Sequence, residues 1–91
     1  MTLEALRDQM DRLDEMLVRL LNERSACALE IGRLKRELGV PVYQPAREAE
    51  VLRHVRRVTE ESGGPLGPDA MARLFERIID EARGLELRAA R

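Results

Sequence analysis

The longest uninterrupted pattern in the sequence is a helical one that covers its first 38 residues. Between positions 2 and 38 there is no proline, and the only glycine is Gly32. Apolar residues recur there with α-helical spacing, and Arg24 occupies one place in their row. They stand at 3, 6, 10, 13, 17, 20, 21, 28, 31, 34 and 38. A threonine before this pattern and a glycine after it suit helix caps, so the sequence predicts one helix over about 3–38.

The predicted helix is longer than the globule to which it should belong. About 36 residues that rise ~1.5 Å each span roughly 54 Å. A compact domain of this size has a radius of gyration of only about 12–13 Å. Two shorter helices cannot cover so long an apolar stripe, so part of it would remain exposed. We therefore expect a second copy of the chain to cover it in an intertwined homodimer, and a kink at Gly32 is the alternative.

The rest of the chain predicts two shorter helices in the same single domain, residues 1–91. After a short extended connection, Pro45 suits the first turn of a helix over about 45–61, which ends at the segment SGGPLGP. Pro68 begins a third apolar stripe, over about 68–88. The connection between them lacks the lysine and Ser/Thr of a phosphate-binding loop. The predicted fold class is all-α, a three-helix protomer with one very long N-terminal helix.

Composition argues against several functions. The formal net charge is −1 although 36% of the residues are charged, which does not favour binding to nucleic acid or to an anionic membrane. A single cysteine and a single histidine exclude an intrachain disulfide and a metal cluster built from either residue type. No apolar run has the length of a signal peptide or a membrane span. We expect a cytoplasmic protein with no metal and no nucleic-acid or membrane partner.

Cations interrupt the apolar stripe of the first helix at particular places. Arg24, Ala28, Ile31 and Lys35 share one helical face. The two cations lie ~16 Å apart along the axis, so their long side chains can converge on one small anion. Arg7 lies about 100° around the helix from Arg24, so it can serve only a site on another protomer. The alternative is that each cation reaches water or a carboxylate.

The second and third helices also carry charges in line with apolar rows. Arg47 and Glu48 lead two such rows, and since adjacent residues do not face each other on a helix, we expect different partners or solvent for each. Free N–H groups from Gln44 to Glu48 would add donors. Glu86 ends the third stripe. A carboxyl group there would be partly desolvated, which favours its protonated form, and that form can donate a hydrogen bond. The alternative is that Glu86 faces water. Together these residues predict a cavity lined by cations and one acid, without a nucleophile–base pair.

The order and spacing of four segments resemble those of the all-helical chorismate mutases, the AroQ class. The segments are LRDQMDRLDEMLVRLLNER, IGRLK, PVYQPAREAEVL and LFERIIDEARGLE, which together extend from about residue 3 to residue 87. The resemblance implies an interlocked dimer of three-helix protomers, whose two sites each borrow a residue from the partner. It also implies an isomerase that converts chorismate to prephenate by a Claisen rearrangement in phenylalanine and tyrosine biosynthesis, without a cofactor.

The same resemblance assigns roles to individual residues. Arg7 would be lent across the dimer, and together with Arg24 it would bind the two carboxylates of the substrate. Lys35 would reach a carboxylate and the ether oxygen. Arg47 and Glu48 match the family's Arg-Glu pair, in which the glutamate accepts a hydrogen bond from the substrate hydroxyl.

Three further positions vary within the family. Gln44 stands where some members have an aspartate, although its main-chain N–H could do the same work. Ala82 stands where some members have a serine that helps to hold a carboxylate. Glu86 matches a family Gln or Glu, which would aim a proton at the ether oxygen alongside Lys35. Lys35, Glu86 and Arg24 are therefore the expected catalytic residues.

Two other functions remain compatible with such a pocket. An isochorismate pyruvate-lyase would share the fold and a similar cationic pocket, although the Arg-Glu pair and the long connection favour the mutase. A non-catalytic regulatory or dimerisation module of a shikimate-pathway enzyme would bind chorismate or prephenate without turnover. Gln44 and Ala82 give this second alternative some weight.

Overall fold

A computed structural model of the chain describes residues 1–90. It contains three α-helices, α1 (Leu3–Leu38), α2 (Pro45–Ser62) and α3 (Pro68–Ala89). Among the described residues there is no strand, which confirms the predicted all-α class and the very long first helix. α2 and α3 each extend one residue beyond the bounds that the sequence predicted.

Local chemistry fixes the ends of these helices. The Thr2 hydroxyl accepts a hydrogen bond at 3.0 Å from an N–H of the first turn of α1, as an N-cap does. Gly39 and Gly63 follow α1 and α2 with φ of 69° and 65°, a left-handed conformation that favours glycine. Pro45 and Pro68 stand at the starts of α2 and α3, where the missing N–H costs no helical hydrogen bond.

α1 is continuous through Gly32, and the longest dimension of the chain matches the roughly 54 Å rise of 36 helical residues. The chain measures 54 × 24 × 15 Å along its principal axes. Its radius of gyration is 16.1 Å, compared with about 12 Å for a compact domain of this length. Every residue from 1 to 23 is exposed, including the apolar ones. The N-terminal part of α1 therefore projects beyond the packed part of the fold.

α3 packs against both α1 and α2 and forms the centre of the domain. The buried residues of α1 are Ala28 and Gly32, whose small size allows a close approach of α3. Ala72, Ile79 and Ala82 of α3 and Val55 of α2 complete the apolar part of a small core. This core lies beside the C-terminal half of α1. Within residues 1–90, no helix combines the length and apolar character needed to cross a membrane.

Candidate active site

The C-terminal half of α1, the connection to α2, the start of α2 and the C-terminal half of α3 line a cavity of about 410 Å³. Its apolar walls are formed by Cys27, Ala28, Ile31, Val42, Val51, Ile79 and Ala82. Its polar lining consists of Arg24, Lys35, Gln44, Arg47, Glu48, Arg83 and Glu86. Of the eight site residues predicted from sequence, the structure thus brings seven to one cavity. Arg7 is absent from this lining and lies on the exposed part of α1.

Lys35 lies at one end of the cavity in a fixed position. Its Nζ donates to the Val42 carbonyl at 2.9 Å and to Oε2 of Glu86 at 3.1 Å. The Lys35 side chain is 16% exposed and that of Glu86 is 9% exposed, so this ion pair is largely shielded from water. The sequence predicted a neutral Glu86 that donates a hydrogen bond. In the structure, the Glu86 carboxyl group instead accepts one from the Lys35 ammonium. Lys35 is also the only lysine among the 16 basic residues of the sequence.

Gly32 explains how Glu86 reaches this position. A Cβ atom added at Gly32 would lie 3.1 Å from Cγ and 3.3 Å from Cβ of Glu86. Such distances are shorter than ordinary carbon–carbon contacts. The side chain of Glu86 therefore lies directly on the backbone of α1, one helical turn before Lys35.

Arg24 lies at the other end of the apolar floor made by Ala28 and Ile31. It is half-buried, and its guanidinium carbon lies 5.9 Å from the centre of the Phe75 ring, within the range of a cation–π interaction. Phe75 belongs to a neighbouring cavity of about 440 Å³, which Arg24 also lines. Arg24, Arg47 and Val51 thus line both cavities.

Arg47 and Glu48 have different partners, as the sequence predicted for two adjacent helical residues. Arg47 is mostly exposed and contacts Glu50 at 3.3 Å. Glu48 is half-buried, and both of its carboxylate oxygens accept hydrogen bonds from Arg83, at 2.8 and 2.7 Å. The carboxylate predicted to accept from a substrate hydroxyl therefore also forms a bidentate ion pair within the protein.

Sequence analysis missed one charged residue of the lining, Arg83, which makes several polar contacts. Besides Glu48, it donates to Asp80 at 3.0 Å, and its guanidinium carbon lies 5.1 Å from the centre of the Tyr43 ring. The hydrogen bonds to Glu48 raise the pKa of Arg83 above its ordinary value, against a smaller opposing effect of burial. Arg83 lies close to Asp80 and Glu81 in the sequence, where it looks like part of a solvated helical face. Only the α2–α3 contact reveals its position in the cavity.

Gln44 and Ala82 both line the cavity. Gln44 precedes α2 and its side chain makes no capping hydrogen bond. Its carbonyl accepts from the Glu48 N–H at 3.1 Å, and Pro45 has no N–H, so fewer free donors remain in this turn than the sequence predicted. Ala82 is buried and presents only a methyl group to the cavity.

Several cations around an apolar floor give this small helical fold a cavity whose lining suits a small anionic molecule. The chain belongs to the chorismate mutase type II family, whose sequence model matches residues 6–87. The family resemblance inferred from the sequence is thereby confirmed.

Solved structures of chorismate mutases share the fold. The chorismate mutase (form II) of Thermus thermophilus is 41% identical to this chain, with a TM-score of 0.85 and 93% of each chain covered. The chorismate mutase of Helicobacter pylori, solved in complex with prephenate, is 31% identical, with a TM-score of 0.82. That comparison covers 96% of this chain and 91% of the other.

Curated relatives include much longer proteins. The bifunctional chorismate mutase/prephenate dehydratase of Pseudomonas aeruginosa is 43% identical over 89 residues, which cover 92% of this chain and 24% of that protein. The relative from Aquifex aeolicus has the same name and is 36% identical to this chain, and the match again covers 24% of that protein. The chain therefore spans about a quarter of the length of these relatives.

Proposed function

We propose that the chain is a chorismate mutase, an isomerase that converts chorismate to prephenate in the biosynthesis of phenylalanine and tyrosine. The observation that carries this proposal is the cavity in which Arg24 and Lys35 stand at the two ends of an apolar floor. Chorismate is a ring with two carboxylates, so it needs cations at separate points and an apolar surface between them. Family membership supports the same reaction.

The reaction requires little chemistry from protein side chains. It is a unimolecular Claisen rearrangement, in which one C–O bond breaks as one C–C bond forms, so neither a nucleophile nor a base is needed. The site must instead hold the enolpyruvyl group folded over the ring. The planar guanidinium of Arg24 suits bidentate binding of a carboxylate and can fix one end of the substrate.

Lys35 is suited to stabilise the charge that develops on the ether oxygen as the C–O bond breaks. An ammonium has three N–H donors, and Lys35 uses two of them on Val42 and Glu86. The third donor is left for the substrate, and the other two prevent the ammonium from rotating. A donor fixed in this way stabilises the transition state without reorganisation. Glu86 can supply a second donor to the same oxygen when it carries a proton.

The start of α2 supplies the remaining contacts in this proposal. The Glu48 carboxylate accepts from the ring hydroxyl, since a carboxylate oxygen can accept more than the one hydrogen bond that Arg83 donates to it. Arg47 is mostly exposed, and its contact with Glu50 is of the weak surface kind, so its side chain can exchange that partner for a substrate carboxylate. Gln44 contributes through its main-chain N–H.

We further propose that the functional unit is an interlocked homodimer in which Arg7 enters the partner's site. The chain exposes 7172 Å², whereas a compact monomer of 10.4 kDa would expose about 5,400 Å². Much of the excess lies on the apolar side of α1, where leucines and methionines are 40–63% exposed between residues 3 and 21. A second copy that covers this stripe would carry its own Arg7 with it.

Product analysis after incubation with chorismate tests the proposed activity. Formation of prephenate, followed by its spectrum and by acid conversion to phenylpyruvate, is the expected result. The same assay with isochorismate tests the lyase. Release of salicylate and pyruvate from isochorismate, with no prephenate formed from chorismate, would show that the chain is an isochorismate pyruvate-lyase and not a mutase. Binding of chorismate without any product would make the chain a regulatory module.

A further inference from the structure

We propose that Arg83 is a positioning residue that holds the Glu48 carboxylate in the orientation needed to accept from the ring hydroxyl of the substrate. This inference rests on the proposed function. Arg83 Nε donates to Oε2 of Glu48 at 2.8 Å, and Nη2 donates to Oε1 at 2.7 Å. Two parallel hydrogen bonds fix both the position and the plane of the carboxylate, which a single bond cannot do.

Arg83 is itself held by groups from two other parts of the chain. On α3, Asp80 accepts from its Nη2 at 3.0 Å. In the connection between α1 and α2, the Tyr43 ring lies under the guanidinium, 5.1 Å from its central carbon. Only 27% of the Arg83 side chain is exposed. Its orientation is therefore set by α3 and by the connection, and it transmits that orientation to Glu48 on α2.

The positive charge of Arg83 also offsets the repulsion between the Glu48 carboxylate and an anionic substrate. Glu48 is a half-buried anion in the lining of a cavity that must accept a dianion, and like charges in a poorly solvated site repel strongly. Arg83 forms an ion pair with it and offsets this repulsion. Without Arg83, a glutamate with three rotatable bonds would gain freedom and turn toward water, which would remove the acceptor from the cavity.

A substrate that lacks the hydroxyl distinguishes this role from direct binding. We expect Arg83→Met to lower kcat/KM for chorismate about tenfold, in line with the loss of one charge-assisted hydrogen bond in the transition state. For the analogue in which hydrogen replaces the ring hydroxyl, the same variant should change kcat/KM less than about twofold, because Glu48 has nothing to accept from it. Glu48→Ala should give the same selectivity between the two substrates.

Arg83→Lys separates charge from geometry. A lysine keeps the positive charge but cannot form the bidentate fork, so we expect it to restore only part of the chorismate activity. It also keeps the test possible if Arg83→Met fails to fold, as judged by helical circular dichroism and thermal melting. Arg77→Met is the matched control, because Arg77 lies on the exposed side of α3 with Glu81 as its partner and should leave both substrates unaffected.

Two other outcomes would overturn the inference, and each has its own meaning. Equal losses for chorismate and for its deoxy analogue would mean that Arg83 binds a substrate carboxylate itself, and no loss with either would mean that Glu48 is oriented without it. Both outcomes overturn the inference while leaving the proposed function intact. If the wild-type chain turned over neither substrate, the proposed function would fail, and calorimetric affinities of the same variants for the two compounds would then test Arg83.

Discussion

At the scale of single residues, the Lys35 ammonium is a largely shielded cation with two partners in the cavity. Two acceptors from different parts of the chain, the Val42 carbonyl and the Glu86 carboxylate, fix two of its three N–H donors. Removal of one member of a buried ion pair leaves an uncompensated charge, which is normally destabilising. Removal of the Lys35 side chain would open Glu86 to the cavity that it lines, where water can solvate the carboxylate, so the fold should tolerate the loss of Lys35 better than the reaction does.

We therefore expect Lys35→Ala to lower kcat about 100-fold or more, the scale seen when a fixed donor to a developing oxyanion is removed. Its helix content and cooperative thermal unfolding should be retained. Arg36→Ala is the control, since Arg36 is exposed and contacts the Ala89 carbonyl at 2.9 Å instead of the cavity. Near-normal turnover by Lys35→Ala would remove Lys35 from the ether oxygen.

Glu86→Gln tests whether Glu86 acts as a donor. A glutamine side chain carries N–H donors, whereas an ionised carboxylate has none. Under saturating chorismate we expect Glu86→Gln to retain kcat, and we expect Glu86→Ala, which has neither donor nor acceptor, to lower it about tenfold, in line with the loss of one hydrogen bond in the transition state. A Glu86→Gln variant as impaired as Glu86→Ala would indicate that Glu86 works only as the ionised partner of Lys35.

Most single residues of the site were predictable because their charges interrupt apolar rows. Arg24, Lys35 and Glu86 stand out in a helical pattern, and the structure places them around one cavity. Arg83 does not stand out, since it lies close to Asp80 and Glu81 and forms its main contacts with a residue 35 positions away. The pairing of Lys35 with Glu86, 51 positions apart, escaped prediction for the same reason. Contacts between distant residues are not encoded in the spacing within one helix.

At the scale of elements, the contact between α1 and α3 depends on the absence of a side chain at Gly32. Glycine in a helix interior lowers stability by roughly 0.5–1 kcal/mol relative to alanine. At Gly32 that loss is offset by the close approach of Glu86, whose Cγ would lie 3.1 Å from an added Cβ. Sequence analysis could assign Gly32 only a possible kink, since the identity of the residue opposite it was unknown.

Gly32→Ala should therefore displace Glu86 and lower kcat, by about tenfold if Glu86 loses one hydrogen bond in the transition state. Gly84→Ala is the matched control on α3, where an added Cβ would meet only the end of the flexible Arg88 side chain, at 3.2 Å. It should raise the free energy of unfolding by about 0.5–1 kcal/mol and leave turnover unchanged. Urea unfolding and chorismate turnover measure both effects. Equal turnover in the two variants would contradict the role of Gly32.

At the scale of the whole molecule, the dominant feature is a helix that extends beyond its own domain. The all-α class, the helix ends and the great length of α1 followed from apolar spacing, prolines and glycines, since these are local properties of the chain. The sizes of the two cavities and the α2–α3 ion pairs depend on packing between helices, which no local pattern fixes. The dimer stays a prediction, based on the uncovered stripe of α1.

Mixing of two defective variants tests the dimer and its shared sites. Arg7→Ala and Arg24→Ala should each be nearly inactive alone. After subunit exchange at equal concentrations, half of the dimers are mixed and each has one intact site, so about a quarter of wild-type activity should return. The measurement is chorismate turnover before and after exchange, with sedimentation to verify dimers. Mixed dimers without activity would mean that each site is built from one chain.

The position of Lys35 as the sole lysine has a practical consequence. In these 91 residues, amine-directed acylating reagents meet a single lysine side chain, that of Lys35 at the cavity wall. The rate at which mass spectrometry finds Lys35 labelled would report whether the cavity is filled. Competing compounds could thus be ranked by protection from labelling alone, without any turnover.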